Sequence, residues 1–191
     1  MRSVVRGSFF PVLLILIAAF ALFTALPATA SAKSYRMGPV DIDAAVHPDG
    51  RLTVTERRLF AFNGDFSKVY WDLDTSGITI TGITIGEVLA DGSILPYRYT
   101  DEPLEIEGRV PGKYSVIDAG SSTEAAAYFR KDSESLVIEL KYTVVDGVKR
   151  HEDVAELYWQ AVGSGWGEYS NDVTVRIQLP VSAETTVVAG E

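Results

Sequence analysis

From residue 40 onward, apolar side chains recur at every second position and almost nowhere at helical spacing. Val40, Ile42, Ala44 and Val46 alternate with Asp41, Asp43, Ala45 and His47, and Leu52, Val54, Phe60 and Phe62 continue the same parity. Successive side chains of a strand point to opposite faces, so this pattern describes half-buried β-strands and excludes amphipathic helices. Val69, Trp71 and Leu73 repeat the pattern. So do Leu136, Ile138, Leu140, Tyr142 and Val144, and finally Val173, Val175, Ile177 and Leu179. About ten strand candidates can be counted in this way.

The connections fit short hairpins. Pro48-Asp49-Gly50 separates the first two runs, Asp91-Gly92 joins a strand ending near Leu89 to a strand over residues 94–99, and Asp146-Gly147 closes the strongest run. Between Ile78–Ile80 and Ile83–Ile85 the parity changes across Gly82, which predicts a β-bulge there. A looser stretch with Pro103, Pro111 and Gly112 leads to a strand over residues 114–117. The expected fold is all-β: two packed antiparallel sheets, an immunoglobulin-like or jelly-roll-like sandwich, preceded by a hydrophobic signal helix.

That leader occupies residues 1–32. Arg2 and Arg6 precede an uncharged run whose apolar part covers residues 9–26, and Ala30-Ser31-Ala32 supplies the small residues of a cleavage site. A retained signal anchor is the alternative, since residues 9–26 have about the length that crosses a bilayer. Pro11 and Pro27, which interrupt and end the apolar helix, favour cleavage. Loss of 32 of the 191 residues leaves a domain at 33–191, long enough for one sizeable core, and takes the net charge from −9 to −11. Such a charge opposes nucleic-acid binding. With no cysteine in the chain, lipoprotein anchoring, disulfides, thiol chemistry and cysteine-based zinc sites are excluded.

Candidate chemistry is sparse. His47 and His151 are the two histidines, and His151-Glu152 lacks the second histidine that a zinc-protease helix requires. Gly163-Ser164-Gly165-Trp166-Gly167 has its serine misplaced for a nucleophile elbow and reads as a turn around one tryptophan. Asp72 and Asp74, Asp101 and Glu102, and Glu152 and Asp153 lack calcium-loop spacing. A glycosidase pair is a relation in space that sequence spacing does not supply. Catalytic residues, metals and cofactors are therefore not expected. The remaining resource is aromatic: Tyr158, Trp159, Trp166 and Tyr169 lie close in sequence and form the candidate binding set, either stacking on sugar faces or filling the core.

Three segments carry a family resemblance: residues 40–56, residues 62–73 with Phe62-Asn63-Gly64-Asp65-Phe66 and Val69-Tyr70-Trp71-Asp72-Leu73, and above all Asp153-Val154-Ala155-Glu156-Leu157-Tyr158-Trp159-Gln160. Residues 171–180 fit the same pattern. The chain resembles the amino-terminal extracytoplasmic domain of the bacterial membrane proteins grouped as domain of unknown function 2207. The resemblance implies a signal segment, an all-β outer domain and later membrane helices; the family has no established activity, so no catalytic residues carry over from it. The sequence stops at Glu191 without a second apolar span, and residues 185–189 resemble a strand without its partner, so a truncated reading frame or a secreted remnant is expected.

Together these features predict an exported, membrane-associated or secreted, non-enzymatic interaction domain. Its expected partners are the membrane, through the leader or through helices beyond Glu191, and a protein or cell-wall glycan. A carbohydrate-binding module using Trp166 and neighbouring rings is the alternative, and a hydrolase a distant one.

Overall fold

A computed structural model describes residues 32–105, 109–163, 165–170 and 172–180. Residues 1–31 of the leader and residues 185–189 lie outside the described residues. Among the described residues twelve strands follow one another: β1 (Ser34–Val46), β2 (Leu52–Asn63), β3 (Asp65–Asp74), β4 (Thr79–Val88), β5 (Ile94–Pro96), β6 (Arg98–Tyr99), β7 (Lys113–Asp118), β8 (Ser122–Asp132), β9 (Ser135–Val145), β10 (Val148–Arg150), β11 (Ala155–Leu157) and β12 (Val173–Gln178). They form a six-stranded sheet in the order β12-β1-β2-β9-β4-β5, a four-stranded sheet in the order β3-β8-β7-β6, and the small β10-β11 hairpin.

The β1–β2 and β4–β5 hairpins form where the turn residues stand, whereas after Asp146-Gly147 the chain leaves the sheet and β10 pairs with β11, not with β9. At the β1–β2 turn, Asp49 Oδ1 accepts the Arg51 backbone N–H at 3.1 Å while Gly50 adopts φ +87°. The bulge expected at Gly82 is present: the β4–β9 register shifts between Thr81 and Thr84, and Gly82 takes φ +63°.

Three features depart from expectation. The sheets are mixed, not purely antiparallel, because β12 pairs parallel to β1 and β6 parallel to β7. Parallel neighbours require long connections: all the strands from β2 to β11 lie between β1 and β12 in the chain, and the stretch between Tyr99 and Lys113 separates β6 from β7. Residues 94–99 are not one strand: β5 stays with β4 while β6 joins the opposite sheet, so the chain changes layers around Pro96 and Tyr97. The third is β8, the central strand of the smaller sheet, whose Ser-Thr-Glu-Ala-Ala-Ala run carries no alternation to read. Its alanines are buried on both faces: Ala125 and Ala127 belong to the core, and on the outer side Tyr128 receives the Leu104 N–H on its hydroxyl at 3.0 Å. A strand covered on both sides shows no period-two signal.

The two larger sheets share one core. Phe60 and Phe62 of β2 meet Trp71 and Phe66 of β3, and Phe62 also stacks on Phe129 of β8 at 5.3 Å. Polar stitches also cross between the layers. The Tyr114 hydroxyl donates to the Ile83 carbonyl at 3.1 Å, and Lys131 of β8 pairs with Glu87 of β4 at 3.1 Å.

One charged pair sits inside this core. The inward row of β2 runs Leu52, Val54, Glu56, Arg58, Phe60, Phe62, and all six side chains are buried. Arg58 Nε donates to Glu56 Oε1 at 2.8 Å, and Arg58 Nη1 donates to Ser170 Oγ at 3.1 Å and lies 3.3 Å from Met37 Sδ. Among the described residues Nη2 finds no acceptor, but the guanidinium lies over the Trp166 ring, 4.4 Å from its centroid. Trp71 Nε1 of the opposite sheet donates to the same Glu56 oxygen at 2.8 Å.

Arg58→Met removes one partner and strands the Glu56 carboxylate in the core, so urea denaturation should show a loss of about 3–5 kcal/mol. The Glu56→Gln/Arg58→Met double variant should recover part of that loss. On the other face of the larger sheet, burial opposes ionisation of Glu139, but hydrogen bonds from Lys141 and Arg57 outweigh it and lower its pKa below the ordinary value. The stability this contributes is present above the unfolded-state pKa of a glutamate, about 4.3, and is lost as pH falls through the depressed folded value. The denaturation midpoint should therefore fall more steeply on acidification below that pH in the native chain than in Glu139→Gln.

Candidate functional site

Among the described residues, the β3 edge of the smaller sheet carries no neighbouring strand. Gly163 and Gly165, in the segment that follows β11, approach it instead. A Cβ built on Gly163 would stand 3.4 Å from the Asp72 carbonyl oxygen, and one on Gly165 would stand 3.8 Å from the Asp72 Cβ. Through these two glycines the segment forms a strap along the strand edge, at distances where a Cβ would make only ordinary contact. Trp166 anchors the strap. Its ring packs edge-on to Trp71 at 5.7 Å, tilts against Phe60 at 5.7 Å and carries the Arg58 guanidinium on a face.

Between the strap and the sheets lies a cleft of about 440 Å³. Glu56 and Trp71 stand against it from β2 and β3, Tyr142 from β9, and Ile80 from β4; the strap adds Tyr158, Trp159 and Trp166. The strap follows directly from the β10–β11 hairpin, where the Tyr158 N–H donates to the Gly147 carbonyl at 3.3 Å. Strand ends and one loop therefore position every ring of the site.

Three of the four aromatic residues expected to bind come together here. Trp159 and Trp166 are half-buried against the core, whereas Tyr158, 91% exposed, stands at the mouth. Tyr169 is equally exposed and is not among the residues that line the cleft. Sequence reasoning missed Glu56, Trp71 and Tyr142. Glu56 carried a signal, since it shares parity with Val54 and Phe60 and so had to point inward; the approach of the strap to Trp71 had none.

Among the described residues, the charged ones lining the cleft are Glu56, Asp72 and Asp74, all acidic. Asp74 is engaged in its own turn, where Oδ1 accepts the Ser76 N–H at 2.8 Å and that bond lowers its pKa. Asp72 is exposed at the rim. Burial raises the Tyr142 pKa, the Glu56 charge adds to the rise, and a hydrogen bond from Trp159 works against it, so this hydroxyl keeps its proton at neutral pH.

The other candidate groups are dispersed. Asp101, Glu102, Glu152 and Asp153 stand exposed on separate loops, and among the described residues no three His, Asp or Glu side chains converge as a metal site would require. His47 Nε2 lies 2.8 Å from Thr53 Oγ1, and His151 Nε2 lies 3.2 Å from Glu156 Oε2, both at the surface.

No curated protein matches the sequence. Among solved structures, a putative protease from Parabacteroides distasonis ATCC 8503 is similar over 58% of this chain and 22% of its own length, at 13% identity and a TM-score of 0.27. The chain thus spans under a quarter of that protein. The family described as predicted membrane protein (DUF2207) N-terminal domain matches residues 36–190. That match covers the whole strand array from β2 to β12 and nearly all of β1, the strap and the cleft. The chain belongs to this family of membrane-protein amino-terminal domains.

Proposed function

We propose that this chain is a non-enzymatic binding domain on the extracytoplasmic side of the membrane, the outer module of a membrane-associated protein, and that it engages its partner through the aromatic cleft. The observation that carries this reading is the convergence of Tyr158, Trp159 and Trp166 with Trp71 and Tyr142 around one concavity. Concave, largely apolar sites with a few placed polar groups are where proteins hold ligands. Membership of a membrane-protein family supports the membrane association. The basic, apolar and small-residue succession of residues 1–32 supports export. In this reading the two-sheet core is a β-sandwich, an architecture shared by many cell-surface domains.

Two of the three cleft carboxylates have structural employment, which weighs against hydrolysis by a carboxylate pair. A two-carboxylate mechanism needs one acid and one base or nucleophile facing the substrate. Glu56 is committed to Arg58 and Trp71, and Asp74 to its turn.

A carbohydrate ligand is the second reading, favoured by the exposed Tyr158 ring at the mouth. Trp166 is the less suitable probe of it, because the ring is built into the packing around Arg58 and its loss would disturb the core. Tyr158→Ala touches the surface instead. On a glycan array this variant should lose most of any signal that the native chain gives, with its melting temperature unchanged. A signal that survives the substitution removes the cleft from sugar recognition.

Location can be tested separately, because the chain is free of cysteine. In intact cells, Tyr158→Cys should react with a membrane-impermeant maleimide as fast as it does in the purified protein. Labelling only after cell disruption would overturn the extracytoplasmic reading.

A further inference from the structure

We propose that Asn63 converts spontaneously to aspartate or isoaspartate in the folded chain, and that the hydrogen-bonded clasp between Gly64 and Ser133 sets how fast. None of these three residues lines the aromatic cleft.

Local chemistry is the first observation. The chain holds two asparagines, and Asn63 alone precedes a glycine. The main-chain nitrogen of a residue can close a five-membered ring on the side-chain carbonyl carbon of the asparagine before it, and a glycine there presents no Cβ to obstruct the approach. Asn63 is exposed, and among the described residues only a long contact of 3.5 Å from its Nδ2 to Ser34 Oγ holds its amide. When the Gly64 nitrogen attacks Asn63 Cγ, a C–N bond forms, the Cγ–Nδ2 bond breaks, and the proton lost from Gly64 leaves with the amide nitrogen as ammonia. Water then opens the succinimide ring. Opening at the side-chain carbonyl gives aspartate, and opening at the main-chain carbonyl gives isoaspartate.

The clasp decides the rate. Gly64 N–H donates to Ser133 Oγ at 3.0 Å, and Ser133 N–H donates back to the Gly64 carbonyl at 3.1 Å. Ser133 Oγ donates in turn to Asp132 Oδ1 at 3.2 Å, which orients the hydroxyl. Asn63 is the last residue of β2 and pairs with Ser34, so its backbone is extended. Ring closure requires the Gly64 nitrogen to swing toward the Asn63 side chain, and that rotation breaks both bonds to Ser133. The reaction therefore proceeds through local opening of the clasp, which costs less than global unfolding because only a turn is released.

The position gives the reaction a consequence. Gly64, at φ +92°, is the sole residue between β2 of the larger sheet and β3 of the smaller. Isoaspartate routes the main chain through the side-chain carbons and so lengthens this one-residue link. Either product also adds a carboxylate to a turn region that already holds Asp65 and Asp132, which pair directly across β3 and β8. Like charges gathered there weaken the pairing, so modified chains hold the two layers together less firmly.

The test incubates the purified chain for several weeks at physiological temperature and pH, beside the same chain in urea, and reads residues 59–68 as a tryptic peptide by mass spectrometry. The native chain should gain one mass unit at Asn63, more slowly than the denatured chain. Ser133→Gly removes the hydroxyl yet suits the φ of +54° at this position, so the turn still folds. It should raise the native rate at least about threefold, the effect of losing one hydrogen bond, and leave the rate in urea unchanged. The modified fraction, separated by its extra negative charge, should melt below the unmodified one. A native chain that stays unmodified while the denatured chain reacts would overturn the proposal, as would a Ser133→Gly variant that reacts no faster than the native chain. Equal melting of the two fractions would overturn the loosening of the layers.

Discussion

The hydrogen bond from Trp71 to Glu56, backed by Arg58, is the contact around which the two layers and the cleft are arranged. Glu56 and Arg58 belong to the six-stranded sheet, and Trp71 to the four-stranded one. Apolar contacts between sheets are forgiving of small slides, because burial depends on area and hardly on direction. A buried carboxylate that must receive an indole N–H and a guanidinium N–H is not forgiving. It pins the lateral position of β3 over β2. The guanidinium in turn offers the Trp166 ring a cation, which draws the strap over the β3 edge and closes one side of the cleft. The polar insertion in the core and the candidate site are thus one arrangement.

The same arrangement manages strand edges. A domain without cysteines relies on packing and pairing for stability, and each open edge invites association with other chains. The strap shields β3. At the far side of the larger sheet β12 is the edge, and Arg176 there bridges Asp43 at 2.6 Å and Asp41 at 3.1 Å on the outer face. These pairs are exposed and contribute little to stability, but a charged outer face on an edge strand discourages further pairing. On the inner face, Val173, Val175 and Ile177 continue the apolar row of Val40, Ile42 and Ala44 and are more exposed than those residues.

Much of the fold was legible because strands announce themselves through the two-residue repeat of the backbone. The β1–β2 hairpin, the Gly82 bulge and the β9 run all followed from parity and turn chemistry. The strand β8 escaped because Ala125, Ala126 and Ala127 are buried on both faces, which erases alternation, and because alanine has no β preference to compensate. In the site, proximity in sequence correctly grouped Tyr158, Trp159 and Trp166. It could not add Trp71, some ninety residues earlier in the chain.

By itself, the sequence determined an all-β domain, where most of its strands turn, and that Glu56 and Arg58 share the inward face of β2. Those are local properties, set by the alternation of side chains along one strand. Only the tertiary structure decided that β12 runs parallel to β1, that residues 94–99 divide between two sheets, and that a glycine-rich strap brings three tryptophans to one cleft. Pairing partners and facing layers depend on burial summed over residues far apart in the chain, and no single stretch of sequence carries that sum.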